Sequence, residues 1–318
     1  MLSEEQHQDF QKNGYLIVED VLDQNRDLQP IRLEYASILD RLCRDWVAEG
    51  RLTPAALDAD FDGRLRLSYA AGLDWFQPMD ISLPGGVIDA DTPMHFGPAV
   101  FDMVTHARIL DIVEDLIGPE ITSNPIQHVR IKPPADLLHG DEDRPHVTFT
   151  DWHQDQGVTH QEADETDMVT VWVAISDATE ENGCLQFIPG SHAEPLKTHC
   201  PAGIQLQIPD AAMDKSKAVP APMRAGGIAI FHPKTAHSSL VNRSEGFRWS
   251  FDLRYSVTGQ PTGRAHFPEF TARSRKNPET VLTDHNEWRK MWERARARLA
   301  VQSHIPIHRW DPSAPACA

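Results

Sequence analysis

The chain is poor in cysteine, with four in 318 residues. Cys43, Cys184, Cys200 and Cys317 are scattered, and no pair has the C-x-x-C spacing of a structural zinc site. A chain this long buries a large core without covalent staples, so the four are read as free thiols in a reducing compartment. Long apolar runs are also missing. The best, MVTVWVAI at 168–175, is far short of the roughly 20 residues that a membrane helix needs. The opening MLSEEQHQDF lacks the basic and apolar regions of a signal peptide. A cytoplasmic protein without membrane contact is expected. Positive charge is in deficit too: 30 Lys and Arg face 47 Asp and Glu, a formal net charge of −17. That excludes a general nucleic-acid binder, which needs a basic surface to meet phosphates. It does not constrain a small-molecule substrate, because a local pocket can oppose the global sign.

Turn formers are plentiful, with 24 Pro and 18 Gly. They favour an all-β or mixed fold over a helical bundle. Ser3 and Gln6 have capping-box spacing, Gly14 closes the short helix they open, and YLIV at 15–18 reads as a strand. Apolar periodicity predicts helices over 27–49 and 102–117. From about 121 short strands take over, at 126–132, 168–176, 184–188, 228–231 and 247–257. Such strands between Gly/Pro turns suggest a sandwich or jelly roll. The last of them, FRWSFDLRYSV, puts Arg248, Ser250, Asp252 and Arg254 on one face. Helix 284–301 carries Trp288, Trp292, Ala295 and Leu299 on one side, a face suited to its own fold or to a second subunit. The organisation expected is one catalytic domain over 1–302: a helical part at 1–120, a β core at about 121–260, and the 284–301 helix. A loose tail follows at 303–318. Monomer and homodimer both remain open.

The strongest local signal is DWHQDQG at 151–157. On an extended segment His153 and Asp155 share a face. Together with one distant imidazole they can form the two-histidine, one-carboxylate triad that leaves positions open on iron(II). The best distant donor is His237, which follows the apolar IAIF strand. An H-x-D pair alone is weak among 16 histidines, and chance pairing stands as the alternative. Arg248, at the start of the alternating strand, can hold a carboxylate through two parallel hydrogen bonds.

Three stretches, WHQDQG, VTVWVAISDATEENGCLQFIPGSH and HSSLVNRSEGFR, together resemble the phytanoyl-CoA dioxygenase family. The resemblance runs from the N-terminal LSEEQHQDF to the FDLRYSVTG strand. It implies a double-stranded β-helix (jelly roll, cupin-like), mainly β with flanking helices. It further implies Fe(II), held by His153, Asp155 and His237, with 2-oxoglutarate and dioxygen as cosubstrates and ascorbate as a possible reductant. Arg248 would anchor the distal carboxylate of 2-oxoglutarate, with Ser239 and Lys132 as further contacts. Gln127 would meet substrate or cosubstrate, with a strand-end amide as the plain alternative. Trp152 and Trp172, near the ligands in sequence, are candidate substrate contacts, although an aromatic there is more often core. Because Asp155 is present, hydroxylation is favoured over halogenation. Desaturation, ring formation and hydroxylation of an acyl-CoA stay open, as does a non-catalytic metal-binding β-barrel module. The acidic stretch 133–165 disfavours a polyanionic CoA, and a neutral or amine-bearing metabolite is expected instead. Lys197, Lys215, Lys217 and Arg224 in the 193–225 loop partly offset that argument.

Overall fold

The computed structural model describes residues 1–138, 140, 147–202, 205–303, 305–311, 313 and 317. The acidic run Asp141, Glu142, Asp143 and its neighbour Arg144 lie outside the described residues. Helices and antiparallel sheets contribute together. Helix α1 (Glu4–Asn13) has the reciprocal Ser3–Gln6 capping box, and Gly14 ends it in the left-handed region at φ 80°. Strand β1 (Tyr15–Val18) follows, then α2 (Gln29–Ala48), α3 (Phe61–Ala70), α4 (Phe76–Met79), α5 (Pro98–Val104) and α6 (Ala107–Ile117). The single helix expected at 102–117 is thus two, broken at Thr105–His106. Ten strands follow: β2 (Ile121–Lys132), β3 (Met168–Ala174), β4 (Leu185–Phe187), β5 (Cys200–Ala202), β6 (Gln205–Gln207), β7 (Val219–Ala221), β8 (Ile228–Phe231), β9 (His237–Ser239), β10 (Arg248–Val257) and β11 (Phe270–Arg273). Helix α7 (His285–Leu299) completes the list.

The large sheet runs β1-β8-β3-β10-β2-β11, and a second sheet runs β7-β4-β9. Strand alternation divides the large sheet cleanly. Val169, Val171 and Val173 of β3, Ile228 and Ile230 of β8, and Trp249, Phe251, Leu253 and Tyr255 of β10 face the helices and join the main core. Trp172, Ala174, Ala229 and Phe231 face the other way and pack with Leu185, Phe187 and Ala221 of the second sheet. Apolar contact therefore closes the far end of the inter-sheet space. Along β10 and β2 the same inner face carries polar groups instead, and that is where the site forms. The register of β10 on β2 slips between Asp252 and Arg254, opposite His128 and Asn124. The irregular β2 residues between them, Pro125 to Gln127, bend that strand at the edge of the site.

Two expectations need correction, and one alternative is decided. Cys200 and Cys317 form a disulfide, and only Cys43 and Cys184 remain as buried free thiols among the described cysteines. Their separation of 117 residues hid the pair; proximity came only with folding. The tail is not loose where it is described. Arg309 binds Asp164, the Thr159 carbonyl and the Gln156 carbonyl, and Trp310 Nε1 donates to the Gly157 carbonyl at 2.5 Å. Trp288 and Trp292 are 1% and 0% exposed, packed on Phe96, Phe101 and Phe267 of their own chain. Trp292→Glu would therefore damage this core. Among the described residues no helix is long and apolar enough to cross a membrane.

Candidate metal centre

His153 and His237 are brought together by the backbone before their side chains meet. Each donates its N–H to the other's carbonyl at 3.0 Å, an isolated antiparallel bridge. Residues paired this way project to the same side, and their rings lie 4.2 Å apart between centroids. Gln154 is extended at φ −115°, ψ 135°, so Asp155 returns to the face of His153. Asp155 Oδ1 then lies 3.5 Å from His153 Nε2 and 3.9 Å from His237 Nε2. One ligand atom from each of the three falls within 4.8 Å of the others, and all three residues are buried.

Hydrogen bonding at the far ring nitrogens favours one tautomer. His153 Nδ1 bonds the Asp151 carbonyl at 2.7 Å, and His237 Nδ1 bonds the Thr235 carbonyl at 2.9 Å. A carbonyl only accepts, so Nδ1 carries the proton and the Nε2 lone pair is left for a metal. Burial, reinforced by the nearby His153, pulls His237 down to about 4, which keeps it neutral. Burial pushes the Asp155 carboxyl up, but Arg254 and the two imidazoles outweigh it, and the group stays well below the usual range. Arg254 Nη2 donates to Asp155 Oδ1 at 2.5 Å, and Thr170 Oγ1 donates to Oδ2. The donor set is chemically suited to a divalent transition metal with open positions.

A second feature lies along the polar edge of β2 and β10. Arg248 and Lys132 are 1% and 3% exposed, and among the described residues neither has a carboxylate partner. Lys132 Nζ donates to Ser239 Oγ at 2.6 Å and to the Leu240 carbonyl at 2.8 Å. Arg248 Nη1 donates to Ser250 Oγ at 2.7 Å, its Nε has no partner, and its guanidinium lies 5.0 Å over the Trp172 ring. Burial, with Arg130 adding to it, lowers Arg248 to about 9. Burial and Arg248 push Lys132 well below its ordinary value. Two buried basic groups with an orphaned N–H and no carboxylate partner among the described residues fit a small dianion.

A cavity of about 410 Å³ opens on His153 and Arg254. Pro306, Ile307 and His308 of the tail cover one side of it. The expected substrate contacts lie elsewhere. Gln127 donates to the Ile81 carbonyl at 2.8 Å, and it is its neighbour Ile126 that lines the cavity. Trp152 packs with Ile188, Ile208 and Ala236, and Trp172 sits in the inter-sheet core under Arg248. The described acids of the 133–165 stretch do not line the cavity either; Asp164 is tied to Arg309 at 2.6 Å.

Several residues here had little or no local signal. His199 is fully buried beside the ligands: its Nε2 accepts from the Gln154 N–H at 2.8 Å and its Nδ1 bonds the Lys197 carbonyl. A Cβ on Gly157 would fall 2.3 Å from the His199 ring, which explains the glycine of WHQDQG. Neither His199 nor Thr170 could be found from spacing. Arg254 could have been, since it shares the period-2 face with Arg248.

Comparison with known proteins agrees with this geometry. The family description "Phytanoyl-CoA dioxygenase (PhyH)" matches residues 10–250. Among relatives, the peroxisomal phytanoyl-CoA dioxygenase of Bos taurus is 25% identical over 292 residues, covering 89% of this chain and 76% of that one. Phytanoyl-CoA dioxygenase domain-containing protein 1 of Mus musculus is 35% identical over 115 residues, 31% of this chain and 40% of that one. Among solved structures, the non-heme monooxygenase ThoJ superposes with a TM-score of 0.57 at 18% identity, covering 92% of this chain and 96% of that one. EvdO2 from Micromonospora carbonacea var. aurantiaca, complexed with 2-oxoglutarate, gives 0.51 at 17% identity, covering 89% and 98%. By class the protein is an iron(II)- and 2-oxoglutarate-dependent non-heme dioxygenase. The chain belongs to the phytanoyl-CoA dioxygenase family.

Proposed function

We propose that this dioxygenase hydroxylates an unactivated C–H bond of a small or medium metabolite. The observation that carries the reading is the convergence of His153, Asp155 and His237, together with two buried basic side chains, Arg248 and Lys132, that have no carboxylate partner among the described residues. The three donors would hold iron(II). Arg248 and Lys132, with Ser239 and Ser250 orienting their donors, would hold the distal carboxylate of 2-oxoglutarate. When bound, iron with 2-oxoglutarate and dioxygen supplies the oxidant: one oxygen atom enters the substrate and the other leaves in succinate, with carbon dioxide released. The chain supplies the rest. His153 and His237 present fixed Nε2 lone pairs, Arg254 and Thr170 orient both Asp155 oxygens, and Pro306, Ile307 and His308 of the tail help to wall the cavity. The two facing sheets are read as a double-stranded β-helix, a view supported by the superposition on ThoJ.

The acyl-CoA alternative has less support. A CoA ester would need free cations at the cavity mouth, yet Lys197, Lys215 and Lys217 are each paired with a neighbouring acid, Glu194, Asp210 and Asp214. The test is an anaerobic titration of the iron(II)-loaded protein with 2-oxoglutarate. A visible charge-transfer band should appear, and Arg248→Gln should weaken its saturation. Absence of the band, or an unchanged titration in the variant, overturns the reading. Product mass then separates a gain of one oxygen from the loss of two hydrogens in desaturation or ring formation.

A further inference from the structure

We propose that the substrate is an organic acid with an apolar body, and that Arg264 anchors its carboxylate. The inference rests on the dioxygenase reading of the site and narrows its substrate class.

The cavity beside His153 has a charge opposite to that of the chain. Arg130, Arg254 and Arg264 all line it, and no Asp or Glu does among the described residues. Two of the three arginines are engaged. Arg254 is bound to Asp155, and Arg130 Nη2 lies 3.3 Å from Asp252 Oδ2. Arg264 is different. It is 6% exposed, yet among the described residues no carboxylate pairs with it. Among the described residues its one side-chain hydrogen bond runs from Nη2 to the Val158 carbonyl at 2.8 Å, and its Nε is buried without a partner. A guanidinium has five N–H donors, and burying it with so few acceptors is costly. The same cost argues that an acceptor arrives with the ligand.

The backbone is built to present this side chain. Gly263 is in the left-handed region at φ 72°, and a Cβ there would fall 2.6 Å from Thr159 Cβ. The turn is therefore held by glycine against the segment that follows Asp155, which directs Arg264 to the cavity wall. The lining also carries apolar side chains, Leu83, Ile126, Leu206 and Ile307. A carboxylate matches the planar fork of Arg264 by two parallel hydrogen bonds, and an apolar body then lies across His153. Arg248 and Lys132 do not line this cavity, so the anchor is separate from the cradle assigned to 2-oxoglutarate. The amine-bearing or neutral substrate expected from the acidic 133–165 stretch is disfavoured for the same reason.

The test uses the full chain, loaded anaerobically with iron(II) and saturating 2-oxoglutarate. Medium-chain aliphatic and aryl-substituted monocarboxylic acids, each paired with its primary amide, are titrated by calorimetry. The acids should bind about tenfold or more tighter than their amides, the scale of one charge-assisted hydrogen bond. In Arg264→Gln the preference should collapse while amide affinity is kept, and Arg264→Lys should recover part of it. Equal binding of acid and amide by the wild type overturns the proposal and needs no variant, so a misfolded Arg264→Gln cannot obscure the answer. No measurable acid binding also overturns it, as does a preference that survives in Arg264→Gln. Loss of 2-oxoglutarate affinity in place of acid affinity would assign Arg264 to the cosubstrate and overturn it too. Failure of the wild type to bind 2-oxoglutarate at all would instead defeat the dioxygenase reading, whichever way the acids and amides compare.

Discussion

Arg254 Nη2 lies 2.5 Å from Asp155 Oδ1, the same oxygen that faces His153 Nε2 at 3.5 Å and His237 Nε2 at 3.9 Å. One carboxylate oxygen is thus shared between a buried guanidinium and the metal-facing space. Arg254 fixes the orientation of Asp155, and Thr170 holds its other oxygen. Arg254→Gln should therefore weaken iron(II) binding by about 10–100-fold, the usual cost of losing a partner behind a metal ligand. Calorimetry with iron(II) or cobalt(II) measures this. Arg254→Lys should fall between the two. An unchanged metal affinity would mean that Thr170 alone orients the carboxylate.

Lys132 is held below its ordinary pKa by burial and by Arg248, and it has no carboxylate partner among the described residues. A bound dianion favours the charged lysine, so 2-oxoglutarate binding should take up a proton. Its affinity should then fall as pH rises. Titrations in buffers of different ionisation enthalpy will report the uptake. Lys132→Met should abolish it and weaken 2-oxoglutarate by roughly 30-fold, equivalent to ~2 kcal/mol.

The disulfide and the contacts of Arg309 and Trp310 pin the tail beside the cavity. Reduction should loosen it, and trypsin should then cut after Arg309 several-fold faster. Thiol counting in denaturant should find two free cysteines before reduction and four after. Alkylation at the moment of cell lysis also tests the expectation of a reducing, cytoplasmic setting. Four alkylated cysteines would place the bond outside the native state.

His199 is held near 3 by burial, with His153 adding to it, and His232 near 4 by burial, with His192 adding to it, against an ordinary 6.5. The unfolded chain takes up these protons at higher pH than the native one. Their contribution to stability is therefore full above about 6.5 and is lost progressively as pH falls toward 4. Thermal midpoints of the metal-free protein across that range should decline. His199→Gln keeps an acceptor for the Gln154 N–H and should make the decline shallower.

The sequence by itself determined that His153 and Asp155 share a face, and it determined the polar face of β10; His237 was a candidate third ligand that the family resemblance supported. The two shared faces are properties of local period: an extended segment places residues two apart on one side, so His153 with Asp155, and Arg248 with Arg254, could be read directly. The capping box at Ser3 and the main strands were legible for the same reason. Only the tertiary structure decided what stands opposite those faces. The His153–His237 bridge, the Cys200–Cys317 bond, the approach of His199 to Gly157, and the meeting of Arg130, Arg254 and Arg264 at a cavity that no acid lines among the described residues all bring together residues far apart in the chain. Net charge could not foretell a cavity lined by Arg130, Arg254 and Arg264, because composition counts charges without saying which way they point. Direction is set by sheet pairing and by turns such as Gly263, and those depend on contacts that no local window contains.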